Sequence, residues 1–413
     1  MSNTILSSNA NSSLINTLLG SESVKNPNIY STEEITPPYA ATWQRCDPTT
    51  GDALAGRTQV FNVMKYGYLQ QALLCWEKEF TVAVAPTETK KLSSANDVIR
   101  CIDNIELMAS GRVVSTLNAD DLYAQFSDLS EADSIPVRAS ALKARTVSVP
   151  AVAAGGVAIT KKTEKYCLPI VFPQFESVDT QLNCQFLEGI SFRVKWGKID
   201  NFDGTDATAA TIPANSMYMR FRYKAFPEEQ VSEVLSANFD QPELAQLTSR
   251  WYSEAPISFT TGAAETTKDV TVELKNTDCV QDLFAMGYVA APGEAYVPQR
   301  ITNIKLEASG QTIVEMSEEE LLYSRLGEHG WSCSQSVTDS GGASRVAKIQ
   351  NGLYTWYKLS NTMSLRELNA PKVVVSFADL AVNTTYVCRV SEKCSAIFST
   401  TSATGRYNVA LSN

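Results

Sequence analysis

The chain of 413 residues contains a single histidine, His329. Zinc sites use histidines or closely spaced thiolates, and a Ser-His-Asp or Cys-His pair would have to use this one residue. The sequence has no G-x-S-x-G segment, which would place a nucleophile on a sharp strand-to-helix turn. We therefore expect His329 to be an ordinary loop residue, and we expect the protein not to be an enzyme.

Two groups of carboxylates could bind a cation or transfer a proton. Glu318–Glu320 follow Ser317, and we expect them in the first turn of a helix, where the helix dipole favours negative charge. Asp200, Asp203 and Asp206 share one loop, and clustered oxygens suit Ca²⁺. Their spacing is not that of an EF-hand, and no glutamate follows at the required distance. We expect a polar loop with no metal.

Glycines and cysteines give no further sign of a cofactor. The pairs Gly155-Gly156 and Gly341-Gly342 precede neither the Lys-Ser/Thr nor the helix that a phosphate-binding loop requires. Nine cysteines are scattered without a C-x-x-C pair, and Cys388 and Cys394 show no metal signature. The sequence predicts no metal and no cofactor.

Bulk properties exclude further classes of protein. The formal charge is −10 and no run of Lys or Arg is present, so we expect no direct binding to nucleic acid, which needs a basic face. The odd number of cysteines and the polar N-terminus favour reduced thiols in the interior of a cell. No stretch approaches the roughly 20 apolar residues of a membrane-spanning helix. We expect a soluble protein.

One segment of the chain occurs twice. Residues 102–123 (IDNIELMASGRVVSTLNADDLY) and 301–322 (ITNIKLEASGQTIVEMSEEELL) match at a constant offset of 199, with eight of 22 positions identical. Alternating apolar residues predict a half-buried strand, and the Ser-Gly pair predicts a tight hairpin turn in which glycine has positive φ. A second strand and a capped helix follow, with Ser317 and Glu320 as a capping box, and with Asn118 and Asp121 at the same positions in the first copy.

Weaker matches surround the repeat. Residues 68–73 resemble residues 279–284, and in each half an apolar strand (168–172; 353–359) precedes a second one (190–196; 372–377). Short strand-like runs dominate, so we expect an all-β protein.

The two copies divide the chain into parts. We expect an extended N-terminal arm at 1–52, a first jelly roll at 53–226, a helical linker at 227–255 and a second jelly roll at 256–413. The linker helices are expected at 228–235 and 242–247, and a short helix within the arm at 12–20. The fold class is two tandem jelly-roll β-sandwiches, with short helices in loops and linker. We expect the six tryptophans to fill the cores.

The duplicated phrases IELMASGRVV with NADDLY and IKLEASGQTIVEMSEEELLYSRL, with the strand ISFRVKW, resemble the double jelly-roll major capsid proteins. These proteins build the shells of tailless icosahedral DNA viruses. The resemblance implies a homotrimer of pseudo-hexameric outline that tiles an icosahedral shell. It also implies contacts with neighbouring capsomers, with minor capsid and vertex proteins, and with an internal membrane where the virus has one. The protein would then be made and assembled inside the host cell and reside in the virion.

Two other functions compete with the shell subunit. A two-domain β-sandwich that binds carbohydrate or acts as an adhesin would be secreted, and a signal peptide or paired cysteines would accompany it. The sequence has neither. An enzyme built on tandem jelly rolls is the third reading, and the single histidine argues against it.

Overall fold

A computed structural model describes residues 40–82, 90–93, 101–119, 121–122, 147–149, 161–170, 172, 175, 182–184, 187, 189–197, 199, 209–225, 243–275, 279–289, 299–321, 335–338, 344–347, 355–402 and 407–412. These residues are almost entirely β-strands, and the strands pair antiparallel throughout. The predicted all-β class is confirmed.

The first half of the chain contains two sheets of a sandwich and one small extra sheet. A six-stranded sheet has the order β1-β12-β3-β11, with β8 and β9 also paired to β3, and a four-stranded sheet has the order β2-β10-β5-β6. The strands are β1 (Ala40–Cys46), β2 (Thr58–Asn62), β3 (Tyr68–Thr81), β4 (Lys90–Ser93), β5 (Ile102–Ala109), β6 (Arg112–Asn118), β7 (Val147–Val149), β8 (Lys161–Ile170), β9 (Leu182–Asn183), β10 (Ser191–Trp196), β11 (Ala209–Thr211) and β12 (Tyr218–Ala225).

The second half repeats this plan. Its six-stranded sheet has the order β13-β23-β16-β21, with β14 and β24 also paired to β23, and its four-stranded sheet has the order β15-β22-β17-β18. The strands are β13 (Glu243–Ser253), β14 (Ile257–Thr260), β15 (Lys268–Glu273), β16 (Cys279–Val289), β17 (Arg300–Ala308), β18 (Gln311–Ser317), β19 (Gln335–Thr338), β20 (Ser344–Ala347), β21 (Thr355–Ser364), β22 (Lys372–Ala378), β23 (Thr385–Ser402) and β24 (Tyr407–Ser412).

Each half buries its own apolar core between its two sheets. The first core collects the inward side chains of β3, β5, β10 and β12, among them Leu74, Ile105, Phe192 and Phe221. The second collects those of β16, β17, β22 and β23, among them Leu283, Ile304, Val375 and Val390. The alternating burial of β10 and β22 follows from the period of two that places successive side chains on opposite faces.

The duplicated hairpins have the same geometry in both halves. Ser110 and Gly111 have φ of 50° and 77°, and Ser309 and Gly310 have φ of 53° and 75°. Positive φ at both central residues defines the type I′ turn, whose twist matches that of the flanking strands. The predicted conformation of both glycines is confirmed, and the serine before each one shares it.

The predicted caps are also present. The Ser317 N–H donates to Oε2 of Glu320 at 2.8 Å, and the Glu320 N–H donates to the Ser317 hydroxyl at 3.4 Å, which makes a capping box. In the first half, the Asn118 N–H donates to Oδ2 of Asp121 at 2.9 Å. Helical residues follow each cap.

The weak match between residues 68–73 and 279–284 marks a true structural equivalence. β3 pairs with β12 with a bulge at Gln70, and β16 pairs with β23 with a bulge at Gln281. This shared bulge fixes the register between the halves. It makes Trp43 equivalent to Trp251, because each lies opposite the residue that pairs with the position after the bulge.

The cores of the two halves differ in the sizes of the side chains at two equivalent positions. In the first half Trp76 lies edge-on to Trp196, with ring centroids 5.7 Å apart. The register places Gly287 and Phe377 at the equivalent positions of the second half. A Cβ at Gly287 would overlap the ring of Phe377. The ring of Phe377 therefore fills space that a tryptophan occupies in the other half.

Two expectations about the boundaries were wrong. Residues 40–46, assigned to the arm, form β1 and pair along their whole length with β12. Residues 243–253 were assigned to the helical linker, with a helix at 242–247, but they form β13 of the second jelly roll, which pairs residue by residue with β23. In both places a sheet edge supplies hydrogen bonds that local propensity does not reveal. The expected helices at 12–20 and 228–235 lie outside the described residues.

Candidate functional site

The glutamates that could do chemistry have structural partners instead. Glu318 accepts hydrogen bonds from Arg300, at 2.6 Å from Nη2 and 2.9 Å from Nε, and Arg300 also contacts Asp379 at 2.8 Å. Glu318 and then Asp379 raise the pKa of Arg300. Hydrogen bonds from Ser317 lower the pKa of Glu320. Glu318 and Glu320 therefore hold the start of the helical turn, as predicted.

The other candidates give no assembled site. His329, the loop 200–206 and the glycine pairs at 155–156 and 341–342 lie outside the described residues. Cys388 and Cys394 are buried in the second core. Within the described ranges, no three His, Cys, Asp or Glu side chains are grouped so that they could hold a metal ion. No helix in the same ranges is long and apolar enough to cross a membrane.

The feature that joins the two halves is a buried carboxylate. Asp121 of the first half accepts hydrogen bonds from Ser391 at 2.6 Å and from Ser253 at 3.0 Å, both from the second half. The two serine hydroxyls are 2.7 Å apart. Burial raises the pKa of Asp121, and its hydrogen bonds from Ser391 and Asn118 oppose that rise. We call these residues, with Trp251 and Met286, the junction.

Apolar packing surrounds the polar contact of the junction. Trp251 and Met286 of the second half belong to the buried cluster of the first half. Strand β6 of the first half lies against β13 and β24 of the second. The outer face of the second six-stranded sheet is therefore covered by the end of the first sandwich.

The equivalent outer face of the first half is exposed. Trp43 is 46% exposed, whereas its counterpart Trp251 is 4% exposed. The register makes Arg45 equivalent to Ser253, and Arg220 equivalent to Ser391. The guanidinium of Arg45 lies 4.2 Å from the centre of the Tyr218 ring. We call Trp43, Arg45, Tyr218 and Arg220 the basic face.

In the first sandwich, the end formed by β6 and the Asp121 turn is covered at the junction. The equivalent end of the second sandwich is exposed. Val114 on β6 is 1% exposed, and its counterpart Ile313 on β18 is 39% exposed. Both are the bulged residue of their strand. Glu320, the counterpart of the buried Asp121, is exposed. We call Ile313, Glu319 and Glu320 the acidic face.

Sequence reasoning missed both faces, because it treated all tryptophans as core residues. Trp76, Trp196 and Trp251 are buried, but Trp43 is not. The signal was present in the segments TWQR at 42–45 and RWYS at 250–253, which align on their tryptophans. One shared tryptophan in four aligned residues is too weak a match to be found without the register of the sheets.

Sequence comparisons identify no relative, since no family model matches the chain and no curated protein matches it significantly. Solved structures do match. VP54 of PBCV-1, fitted into a cryo-EM reconstruction of the virophage Sputnik, has a TM-score of 0.63 at 11% identity, covering 93% of this chain and 100% of that one.

Two further structures agree over both halves. The mavirus major capsid protein has a TM-score of 0.56 at 12% identity, covering 94% of this chain and 93% of that one. The Faustovirus major capsid protein has a TM-score of 0.55 at 8% identity, covering 96% and 98%. At these identities the likeness shows the fold, and the fold is the double jelly roll.

Proposed function

We propose that this protein is the major subunit of an icosahedral virus shell, in which three copies form a ring of six similar lobes. The observation that carries the proposal is the likeness to viral major capsid proteins, which extends over both sandwiches and nearly the full length of each chain. Two equivalent sandwiches per chain give a cyclic trimer a pseudo-sixfold outline, which suits hexagonal packing.

The division of the chain fits this role. The chain would consist of an arm before β1, a first jelly roll from β1 to β12 and a second from β13 to β24. The two jelly rolls would stand side by side and meet at the junction. The role we assign is structural, without catalysis. It places the protein in the virion, in contact with neighbouring capsomers and with minor capsid and vertex proteins. The overall charge of −10 disfavours direct contact with the genome.

Expression of the full chain followed by mass photometry and negative-stain electron microscopy tests the proposal. We expect a trimer of three 45.1 kDa chains, about 135 kDa in all, with a pseudo-hexagonal outline. We also expect closed particles, or hexagonally packed sheets, at high protein concentration.

A protein that stays monomeric at micromolar concentration and forms no ordered assembly would contradict the shell function. If that monomer bound glycans on an array, the carbohydrate-binding alternative would replace it.

A further inference from the structure

We propose that the basic face of one copy binds the acidic face of a second copy, and that this contact repeats the junction between different chains. The inference rests on the proposed ring of three copies and names the residues that would close it. Its partner is a second copy of this chain.

The first argument is structural equivalence. The junction joins the outer face of the second sandwich to the end of the first sandwich within one chain. The basic face is the counterpart of that outer face, and the acidic face is the counterpart of that end. Within one chain Trp43 on the first counterpart is 46% exposed, and Ile313 on the second is 39% exposed. A second copy related by a rotation would bring an acidic face to each basic face, and three such contacts close a ring.

The second argument is the pattern of exposed apolar side chains. Trp43 and Ile313 are two of the few large apolar side chains that the described residues expose. Their counterparts, Trp251 and Val114, are buried within one cluster at the junction. Tryptophan is one of the residue types enriched at the energetic centres of protein interfaces. The exposure of Trp43 and Ile313 is therefore explained if the same packing forms between chains.

The third argument is charge. Inside one chain the carboxylate of Asp121 meets two neutral hydroxyls, from Ser253 and Ser391. At the equivalent positions between chains, the carboxylate of Glu320 would meet Arg220 and Arg45. Arg45 also pairs with Asp47 of its own chain at 2.8 Å, so Arg220 carries most of the positive charge of this face. The contact within the chain is made once during folding, whereas the contact between chains must find its partner in solution. Opposite charges at the second contact would steer that encounter and fix its register.

The test reverses one charge on each face. Arg220→Glu and Glu320→Arg place like charges at the contact, and the double variant restores opposite charges. We expect each single variant to raise the trimer dissociation constant about tenfold or more, and the double variant to recover most of the loss. Mass photometry over a dilution series measures the three constants. Glu367→Arg is the matched control, since Glu367 is an exposed glutamate of the second half on the turn between β21 and β22 and belongs to neither face.

A second variant does not depend on charge. Trp43→Ala should weaken the trimer while leaving the circular dichroism of the dissociated chain unchanged, because Trp43 is exposed within one chain. Circular dichroism of every variant checks that it is folded.

The outcomes separate the inference from the function. A wild-type trimer with no effect of Arg220→Glu, Glu320→Arg or Trp43→Ala overturns the inference and leaves the shell function standing. A wild-type chain that forms no trimer overturns both. Two weakened single variants with a recovered double variant support the inference.

Discussion

At the scale of single residues, Asp121, Ser253 and Ser391 make more short oxygen–oxygen contacts than their hydroxyl hydrogens can fill. Three short contacts join its carboxylate, the Ser253 hydroxyl and the Ser391 hydroxyl, but the two hydroxyls supply only two protons. Protonation of Oδ1 would reverse the hydrogen bond that Ser391 donates to the ionised carboxylate: the carboxyl would then donate to Ser391, Ser391 to Ser253, and Ser253 to Oδ2. Burial raises the pKa of Asp121 because it penalises the charged form, and this extends to higher pH the range in which the protonated form is populated.

We expect Asp121→Asn to preserve the junction and to change its response to pH. An amide can donate to Ser391 and accept from the Asn118 N–H. The folded pKa of Asp121 lies above its ordinary value of 3.8, so its contribution to stability is full below that value and is lost as pH rises through the folded pKa. The Asn variant lacks this loss. Its advantage over wild type should grow with pH above about 4, by about 1.4 kcal/mol for each unit of pKa shift.

Urea unfolding from pH 4 to pH 8 measures the difference in the free energy of unfolding between wild type and Asp121→Asn. The titration of the other carboxylates contributes equally to both proteins and cancels. Parallel pH profiles would show that Asp121 does not titrate abnormally. The control is Asp121→Ala, which removes the acceptor and should destabilise the protein by about 2–4 kcal/mol at pH 4, where Asp121 contributes most to stability.

Cys75 and Cys167 form a second residue pair with a defined chemistry. They lie opposite each other on β3 and β8, with sulfur atoms 3.1 Å apart. The hydrogen bond from Cys75, and then the charge of Arg220, lower the pKa of Cys167 to about 7. Cys167 is exposed, so its thiolate is accessible to an oxidant.

We expect diamide to convert this pair into a disulfide, with two protons and two electrons passing from the thiols to the diamide. The reaction should accelerate between pH 6 and pH 8, because the Cys167 thiolate becomes the major form above about pH 7. Intact-mass spectrometry with peptide mapping detects the loss of two hydrogens, and Cys167→Ser should abolish it. A bond between other cysteines, or a rate independent of pH, would contradict the assignment.

At the scale of elements, the two sandwiches share a plan but not a core. Trp76 against Trp196 in one half, and Gly287 against Phe377 in the other, fill equivalent space with different volumes. Close packing requires such paired changes, because a core tolerates neither a cavity nor an overlap. The halves have therefore diverged in their interiors while keeping their turns and bulges.

We expect Gly287→Ala to destabilise the second half by about 1–3 kcal/mol, because the new Cβ would overlap the ring of Phe377. Gly262→Ala is the control, since a Cβ there meets Glu265 only at ordinary contact distances of 3.7 and 3.8 Å. The control should change stability by less than about 0.5 kcal/mol. Chemical unfolding measures both variants, and equal effects would show that Phe377 moves aside without cost.

The sequence predicted those elements that its own local pattern determines. β5, β6, β17 and β18 follow from alternation and from the Ser-Gly turns, and both caps follow from residue type. β13 could not be predicted, since Leu244 and Leu247 have a helical spacing and only the pairing with β23 makes the segment a strand. The two faces were hidden for a similar reason. Trp43 and Trp251 are the same residue type at equivalent positions, and only tertiary structure distinguishes their exposure.

At the scale of the whole molecule, the segment before β1 offers a test of shell assembly. It contains one lysine, Lys25, against Glu22, Glu33 and Glu34, so an interaction with DNA is disfavoured. We expect deletion of residues 1–35, which leaves β1 intact, to preserve trimers and to impair their closure into particles. Mass photometry and electron microscopy measure the two properties separately. Normal particles from the shortened chain, or tight DNA binding by a peptide of residues 1–35 at physiological salt, would refute this role.

Because the basic face and the acidic face differ, each contact in a ring joins one face of a chain to the other face of its neighbour. In a mixture of two variants, the number of copies in the ring then decides whether every contact can be attractive. When Arg220→Glu chains are mixed with Glu320→Arg chains, contacts between the two kinds are attractive and contacts within each kind are repulsive. The two variants can alternate all the way around a ring with an even number of copies. In a ring of three copies, two neighbours must be the same variant and repel each other. We expect the mixture to form even-numbered rings or open chains in preference to trimers, although the double variant alone restores trimers. Native mass spectrometry counts the copies, and a mixture that regains full trimer would show that the faces do not meet in a head-to-tail ring.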